Sequence, residues 1–439
     1  MEVGPARPSR LIHAIVHRTA SVCVIGQGYV GLSVATAAAT AGMDVVGVDL
    51  DAERVEGLAD GRLVVPGVKE SVFVQAYGSG RMRFTTDPAA AAKADVTLIC
   101  VPTPVLEHRP DLTAIEAAGR AVAPHVRPGD LVILESTTYP GTTEQVLLPL
   151  LESSGLRAGT DFLLAYSPER IDPGNAKFDL ANTPRVVGGV TQESAAAATA
   201  FYAQLVDEVM TLSNCRAAEM AKLLENTFRM VNIALVNELA VLCWEQGIEP
   251  WEVIDAAASK PFGYMPFYPG PGVGGHCIPL DPAYLAWQSR RDAGRPYRLV
   301  ELAQDINAEM PSYVASRIAE ALNDRGKALN GARILALGVT YKEDVGDTRE
   351  SAAIQVLARL HRKGAHLTFH DPFIERIEEH GFHLERVELE RQAFEGVDLV
   401  ALLTPHAVYD LDWIVSRSPL LFDARNAARA HRSDNVVVL

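Results

Sequence analysis

Ser21-Val-Cys-Val-Ile-Gly26-Gln-Gly28-Tyr-Val-Gly31 is the stretch whose reading decides the fold. A short, largely β-branched run enters G-x-G-x-x-G, and an Ala-rich segment of helical composition follows. Asp49 ends a second run, Val45–Val48. Strand, glycine turn, helix and an acid about 20 residues on form the dinucleotide-binding arrangement. The glycines allow the tight turn and let the backbone approach a pyrophosphate at the helix N-terminus. Candidate nucleotide contacts are therefore Gly26, Gly28, Tyr29, Val30, Gly31, Asp49 and Arg54. A carboxylate at 49 would accept hydrogen bonds from ribose hydroxyls and repel a 2′-phosphate, which selects NAD over NADP. A strand-to-helix turn with no ligand is the bland alternative, and it requires none of this context.

Outward from this motif the same rhythm continues. Asp44–Val48, Val96–Val101 and Leu131–Glu135 each read as a buried strand, with Ala-rich helical stretches between them. Phe162–Tyr166 and Arg185–Gly188 extend the sheet. Alternating strands and helices predict a parallel sheet covered on both faces. This domain is expected over residues 20–200, after an N-terminal extension of 1–19. Residues 201–324 read as helical, with one long helix over Asn214–Gly247 and a second over Arg298–Leu322. The first is apolar around much of its circumference, which suggests burial on more than one side, as at a subunit interface. From 325 to 439 the βα pattern restarts, with strands at Arg333–Gly338, His366–His370 and Leu399–Leu403 and a helix at Ser351–Lys363. The fold class expected is α/β: two Rossmann-like doubly wound domains joined by a helical centre.

Composition narrows the function. A chain of 439 residues exceeds a single hydrophobic core. The net charge of −15 argues against a nucleic-acid partner. No apolar run reads as a membrane span, and Met1–Arg18 lacks the apolar core of a signal peptide. The five cysteines are odd in number and widely spaced. That suits reduced thiols in a cytoplasm and no metal site.

Three further stretches carry chemistry. Val101-Pro-Thr-Pro104 and Glu135-Ser-Thr-Thr-Tyr-Pro140 follow strand ends, at the edge where open α/β sheets bind ligands. Thr103 and Thr137 are their candidate cofactor contacts. Ser167-Pro-Glu-Arg170 lies at the same edge, with an exposed Glu169–Arg170 ion pair as its bland reading. Phe267-Tyr-Pro-Gly-Pro-Gly-Val-Gly-Gly-His-Cys-Ile-Pro-Leu-Asp-Pro282 reads as a loop too rich in glycine and proline to build a core. It sets Cys277 between His276 and Asp281. A thiolate is the reactive form of cysteine, and a nearby cation or helix N-terminus stabilises it. Cys23, Cys100, Cys215 and Cys243 fall in strand or helix patterns and read as inert. On the long helix Lys222 and Asn226 share a face.

Together these residues resemble the UDP-glucose/GDP-mannose dehydrogenase family over about residues 20–430. The motifs, in order, are Gly26–Gly31, Val101–Pro104, Ser136–Pro140, Ser167–Arg170, Lys222–Asn226, Gly272–Asp281 and Lys342–Ser351. The resemblance implies an NAD-binding domain, a central helical domain and a C-terminal UDP-binding domain. It also implies a UDP-sugar substrate and a homodimer or larger homo-oligomer. The activity implied is a four-electron oxidation of the sugar C6 alcohol, with Cys277 as nucleophile. Lys222, Asn226 and Asp281 look like the polar groups around C6, and Thr137 and Glu169 like those handling water and protons. Arg349 looks like a cofactor contact. Glu169, Arg170, Lys222, Asn226, Tyr268, Gly274, His276 and Lys342 look like substrate contacts. His276 before the cysteine, Arg170 after Glu169, Lys260–Tyr264 and Phe267–Pro269 resemble the N-acetylhexosamine branch. UDP-N-acetylglucosamine is the first expectation, with UDP-N-acetylmannosamine and then UDP-glucose behind it. Gln27, Leu58–Val72 and Pro173 depart from the usual pattern. A two-electron alcohol dehydrogenase and an NAD-sensing regulatory protein are the competing classes, and neither needs an intact Cys277 loop.

Overall fold

The computed structural model describes residues 7–439 except Pro66, Glu107, His108, Pro173, Gly174, Ala176, His276, His380 and Arg432, and only the backbone of Arg7, Pro8 and Cys277. The expectations placed on His276, on Pro173 and on the Cys277 side chain lie outside the described residues. The chain divides into two compact units, residues 1–225 and 226–439. The division falls within the long helix Cys215–Glu245.

The first unit is built on an eight-stranded sheet. Its strands run, from edge to edge, Val209–Thr211, Arg185–Gly189, Leu163–Tyr166, Leu131–Leu134, Val96–Ile99, Ser21–Ile25, Asp44–Val48 and Met82–Thr85. The central strands Val96–Ile99, Leu131–Leu134 and Leu163–Tyr166 are buried at every residue. Continuous apolar runs of this kind belong to a sheet covered on both faces. The chain order reverses between Ser21–Ile25 and Val96–Ile99, so the Gly26 turn and the Cys100–Pro104 segment flank the point where such sheets hold a dinucleotide. Two features differ from the all-parallel sheet expected. Met82–Thr85 and Val209–Thr211 add edge strands, and Arg185–Gly189 runs antiparallel to Leu163–Tyr166. The extension before residue 20 is also part of the fold: helix Arg7–Val16 sends Leu11 and Ile15 into the same apolar core as Val22, Leu98 and Phe201.

The second unit carries a five-stranded parallel sheet in the order His366–His370, Arg333–Leu337, Leu399–Leu402, Leu421–Asp423 and Val436–Val438. The reversal lies between Arg333–Leu337 and Leu399–Leu402, so the loops after those strands flank the expected ligand crevice. Helix Ala352–Arg362 is capped by Ser351, whose hydroxyl accepts from Ile354 N–H. Helix Arg298–Asp324 and Trp251 share one apolar core with this sheet through Met310, Val314, Ile318 and Leu322. A smaller cluster of Met230, Ala234, Ala286, Val300 and Ala303 packs the helix Cys277–Ala293.

The long helix corrects one sequence expectation. By length and composition it is apolar enough to cross a membrane. Two of its polar residues, however, bond protein groups: Glu219 accepts from Gly141 and Thr143, and Asn237 bonds Asn307.

Ile318 is fully buried in the core shared by helix Arg298–Asp324 and the C-terminal sheet. Ile318→Ala is expected to destabilise the second unit by about 2–5 kcal/mol. Urea unfolding followed by circular dichroism checks this: both layers should lose structure in one shifted transition.

Candidate active site

In the first unit, Gly26 has φ +92°, and a Cβ there would lie 2.4 Å from the Cys100 carbonyl oxygen. A Cβ on Gly31 would lie 1.9 Å from the Gly26 carbonyl oxygen. Both contacts are backbone, so neither position accepts a side chain. Gly28 differs, since nothing lies within 4 Å of its Cβ position. It caps helix Tyr29–Thr40 with no side-chain hydrogen bond, leaving an open approach to the helix N-terminus. That geometry fits a dinucleotide pyrophosphate. Asp49 Oδ2 accepts from Gln27 N–H (2.6 Å) and from Arg54 Nη1 (3.0 Å). Arg54 is therefore tied to Asp49, and the carboxylate stays at the turn where ribose hydroxyls would meet it. Gln27, an unusual residue for the motif, donates to the Val24 carbonyl and is buried.

The neighbouring loops brace one another. Thr103 Oγ1 donates to the Thr137 carbonyl (2.7 Å), and Ser136 Oγ accepts from Val101 N–H (2.9 Å). Glu169 is buried and does not form the exposed pair with Arg170 that its sequence suggested. Its Oε2 meets Arg185 Nη1 at 2.5 Å, and its Oε1 accepts from the backbone N–H of Arg170 (2.5 Å) and Ile171 (2.6 Å). Arg170 pairs instead with Glu225, at 2.6 Å. Arg185 also meets Glu135 Oε2 at 2.6 Å, and the Tyr202 hydroxyl donates to Glu135. Glu135, Arg185 and Tyr202 were missed by sequence reasoning, although Glu135 stands in a quoted motif. Burial pushes the Glu135 carboxyl up, with Arg185 opposing. Burial alone would lower Arg185, but its two carboxylates outweigh it and raise it well above its ordinary value. Lys222 is largely buried and makes no ion pair among the described residues.

In the second unit, Asn226 Nδ2 donates to Asp281 Oδ2 at 2.5 Å, and both residues are buried. The glycine run proves to be a packing device. Gly272 and Gly275 have positive φ, and a Cβ on Gly274 or Gly275 would lie 2.8 Å from Tyr341. Gly275 N–H donates to the Arg349 carbonyl (3.0 Å). The run is thus pinned against Tyr341–Ser351, the segment holding Lys342 and Arg349. The Arg349 guanidinium is largely exposed and pairs with Asp347 at 2.6 Å. Tyr268 is exposed and donates to Asp255 (2.7 Å).

The loop also ends earlier than its prolines suggest. Cys277 is the first residue of a helix that runs to Ala293 with Pro282 inside it. Proline tolerates the first turn, where N–H groups lack partners, but disfavours the interior, so the sequence read as loop. A cysteine at a helix N-terminus sits where unpaired N–H groups favour a thiolate. Burial pushes the Cys23 thiol up to about 12 and raises Cys100 and Cys215 as well.

Two more groups escaped the sequence. Arg425 follows the strand Leu421–Asp423, and a Cβ on Gly270 would meet its guanidinium at 2.3 Å. Burial pulls Arg425 down from its ordinary value. His406 is buried; its Nδ1 accepts from Asp344 N–H and its Nε2 meets Asp371 at 3.0 Å. The ring proton therefore sits on Nε2, which fixes the loop containing Lys342.

Models of the UDP-glucose/GDP-mannose dehydrogenase family match three successive parts of the chain. They are the NAD binding domain at residues 20–206, the central domain at 216–309 and the UDP binding domain at 335–430. A UDP-N-acetyl-D-mannosamine dehydrogenase of Pyrococcus horikoshii is 35% identical over 414 residues, covering 92% of this chain and 95% of that protein. An NDP-N-acetyl-D-galactosaminuronic acid dehydrogenase of Ralstonia solanacearum is 36% identical over 428 residues, covering 94% and 97%. The solved UDP-D-ManNAc dehydrogenase of Pyrococcus horikoshii superposes with a TM-score of 0.86 at 32% identity, covering 95% and 98%.

The packing role of the glycines is testable. Gly275→Ala places a Cβ against Tyr341 at positive φ, so it should destabilise by more than about 1 kcal/mol. Gly78→Ala, with open space at its Cβ and no positive φ, should cost nothing and stabilise by up to about 1 kcal/mol. Thermal midpoints of the two variants check the contrast.

Proposed function

The chain belongs to the UDP-glucose/GDP-mannose dehydrogenase family, an NAD-dependent nucleotide-sugar dehydrogenase, and from that premise we propose that it oxidises the C6 alcohol of a UDP-N-acetylhexosamine to the carboxylate. The observation that carries the chemistry is the backbone position of Cys277, first in its helix and two residues after Gly275, the end of a glycine run pinned to Tyr341. The sugar class rests on the relatives, named for N-acetylmannosamine and N-acetylgalactosaminuronic acid. Those names support the manno epimer ahead of the gluco epimer expected first from the sequence.

When bound, NAD would supply the hydride acceptor, one molecule for each of the two oxidations. Gly26, Gly28 and Gly31 would hold its pyrophosphate, and Asp49 its ribose. The Cys277 thiolate adds to the C6 aldehyde, forming a thiohemiacetal and, after the second oxidation, a thioester. Lys222 stabilises the oxyanion formed at C6. Asn226 holds Asp281 in a fixed orientation for its role at C6. Water positioned by Glu169 adds to the thioester carbonyl, its proton passes to the carboxylate, and the C–S bond breaks to release Cys277 thiolate and uronate. Thr103 and Thr137 join the nucleotide contacts with Tyr29, Val30, Arg54 and Arg349. Arg170, Tyr268, Gly274, His276 and Lys342 contribute to holding the UDP-sugar.

Leu224, Phe228, Leu235 and Leu242 are exposed along the long helix at spacings that keep them on one face. An apolar stripe of that length is the mark of a subunit interface, which supports a homodimer or larger homo-oligomer.

Two measurements test the reading. NADH formed per sugar should be two with UDP-N-acetylmannosamine or UDP-N-acetylglucosamine. UDP-glucose should be poorer by roughly ten-fold or more, because a pocket built for the acetamido group leaves polar groups unpaired. A best rate with UDP-glucose would remove the hexosamine assignment. Separately, Cys277→Ser should abolish the four-electron turnover, whereas Cys23→Ser or Cys243→Ser should change stability alone.

A further inference from the structure

We propose that Arg185, gripped by Glu135, is a positioning residue that fixes the Glu169 carboxylate for hydrolysis of the Cys277 thioester. The proposal rests on the reading of Glu169 as the group that positions water. It begins with topology. Parallel strands deliver their carboxyl ends to the ligand edge, so Cys100, Glu135 and Ser167 arrive there just after Ile99, Leu134 and Tyr166. The next strand is antiparallel, with Tyr166 opposite Gly188. Its first residue, Arg185, therefore arrives at the same edge. A parallel strand would have put that cation at the far end of the sheet.

The contacts then leave Glu169 little freedom. Arg185 takes Oε2, and two backbone N–H groups take Oε1. The carboxylate plane cannot turn without breaking one of the three. Arg185 is itself fixed on every side: Nε donates to Ser167 Oγ at 3.0 Å, Nη2 meets Glu135, and the guanidinium lies 4.7 Å from the centre of the Tyr202 ring. Tyr202 closes the chain by donating to Glu135.

Charge argues that this is more than a brace. Arg185 and Glu169 alone would make a neutral pair. The second buried carboxyl group, Glu135, is more than that balance needs, with side-chain exposures of 3%, 0% and 9% for Arg185, Glu135 and Glu169. Buried ionic triads add little stability over apolar packing of the same volume. What the second carboxylate does supply is orientation: pulled from two directions, the guanidinium holds one face toward Glu169. Glu135 also heads the loop whose Ser136 bonds Val101, so the clamp is continuous with the loops at the dinucleotide edge.

Stopped-flow and steady-state kinetics with UDP-N-acetyl-D-mannosamine and NAD, or with whichever sugar the panel above selects, test the proposal on the full chain. Glu135→Gln and Tyr202→Phe keep shape and remove one anchor each. Both should keep the Kd for NAD and sugar within about two-fold and keep the rapid NADH burst, while kcat falls roughly ten-fold as hydrolysis slows. Arg185→Lys should recover part of the kcat lost in Arg185→Met. Should the arginine variants fail to fold, the other two decide. Unchanged kcat in Glu135→Gln, or a fall matched by lost NAD binding or a lost burst, overturns the clamp. Glu169→Gln separates the two levels: if it retains full kcat, the role given to Glu169 is wrong and the clamp falls with it. If it loses kcat while Glu135→Gln does not, only the clamp is wrong.

Discussion

A buried guanidinium organises the ligand edge of the first unit. Arg185 is nearly without solvent, and a charge so placed must find partners or be expelled. Its partners come from loops after two successive strands, so the loops cannot drift apart without stranding a cation. The dinucleotide turn obeys a second constraint at the same edge. Gly26 and Gly31 are fixed by backbone atoms under them, one supplied by Cys100 and the other by Gly26 itself. Rigid glycine packing and a rigid ion cluster thus stand side by side. Between them lie Thr103, Thr137 and Ser136, whose bonds run from one loop to the other.

The second unit solves a different problem. A stretch with six prolines and glycines before Cys277 has almost no side chains with which to hold itself. It is held by absence: places where a Cβ would collide with Tyr341, Glu350 or Arg425 are glycine, so the backbone lies flush on the C-terminal domain. Asn237 assists by accepting from Gly270 N–H while donating to Asn307. The start of the cysteine helix is therefore set by the same segment that carries Lys342 and Arg349. The helix start and that loop are geometrically one object within this unit.

Much of this was legible in the residues. Strand-length β-branched runs, the Gly26 turn and the restart of the βα pattern after residue 325 are local signals, and the strands lie within a residue or two of their expected places. What escaped was of two kinds. Direction is not encoded in a strand's own composition, so Arg185–Gly189 gave no hint that it runs antiparallel, and Arg185 gave no hint that it belongs at the ligand edge. Partners distant in sequence are equally silent. Glu135 and Tyr202 stand 67 residues apart, and His406 and Asp371 stand 35 apart. The Pro-rich helix start at Cys277 misled for a physical reason, since prolines at a first turn and prolines in a loop look alike.

The N-terminal helix has a consequence for where the first domain can be cut. The family match begins at residue 20, yet Leu11 and Ile15 already fill the core beneath the first strand. The matched domain and the folded core therefore start at different places. A segment outside the matched domain can thus be interior, and it is then no longer an appendage that can be exchanged without repacking what lies under it.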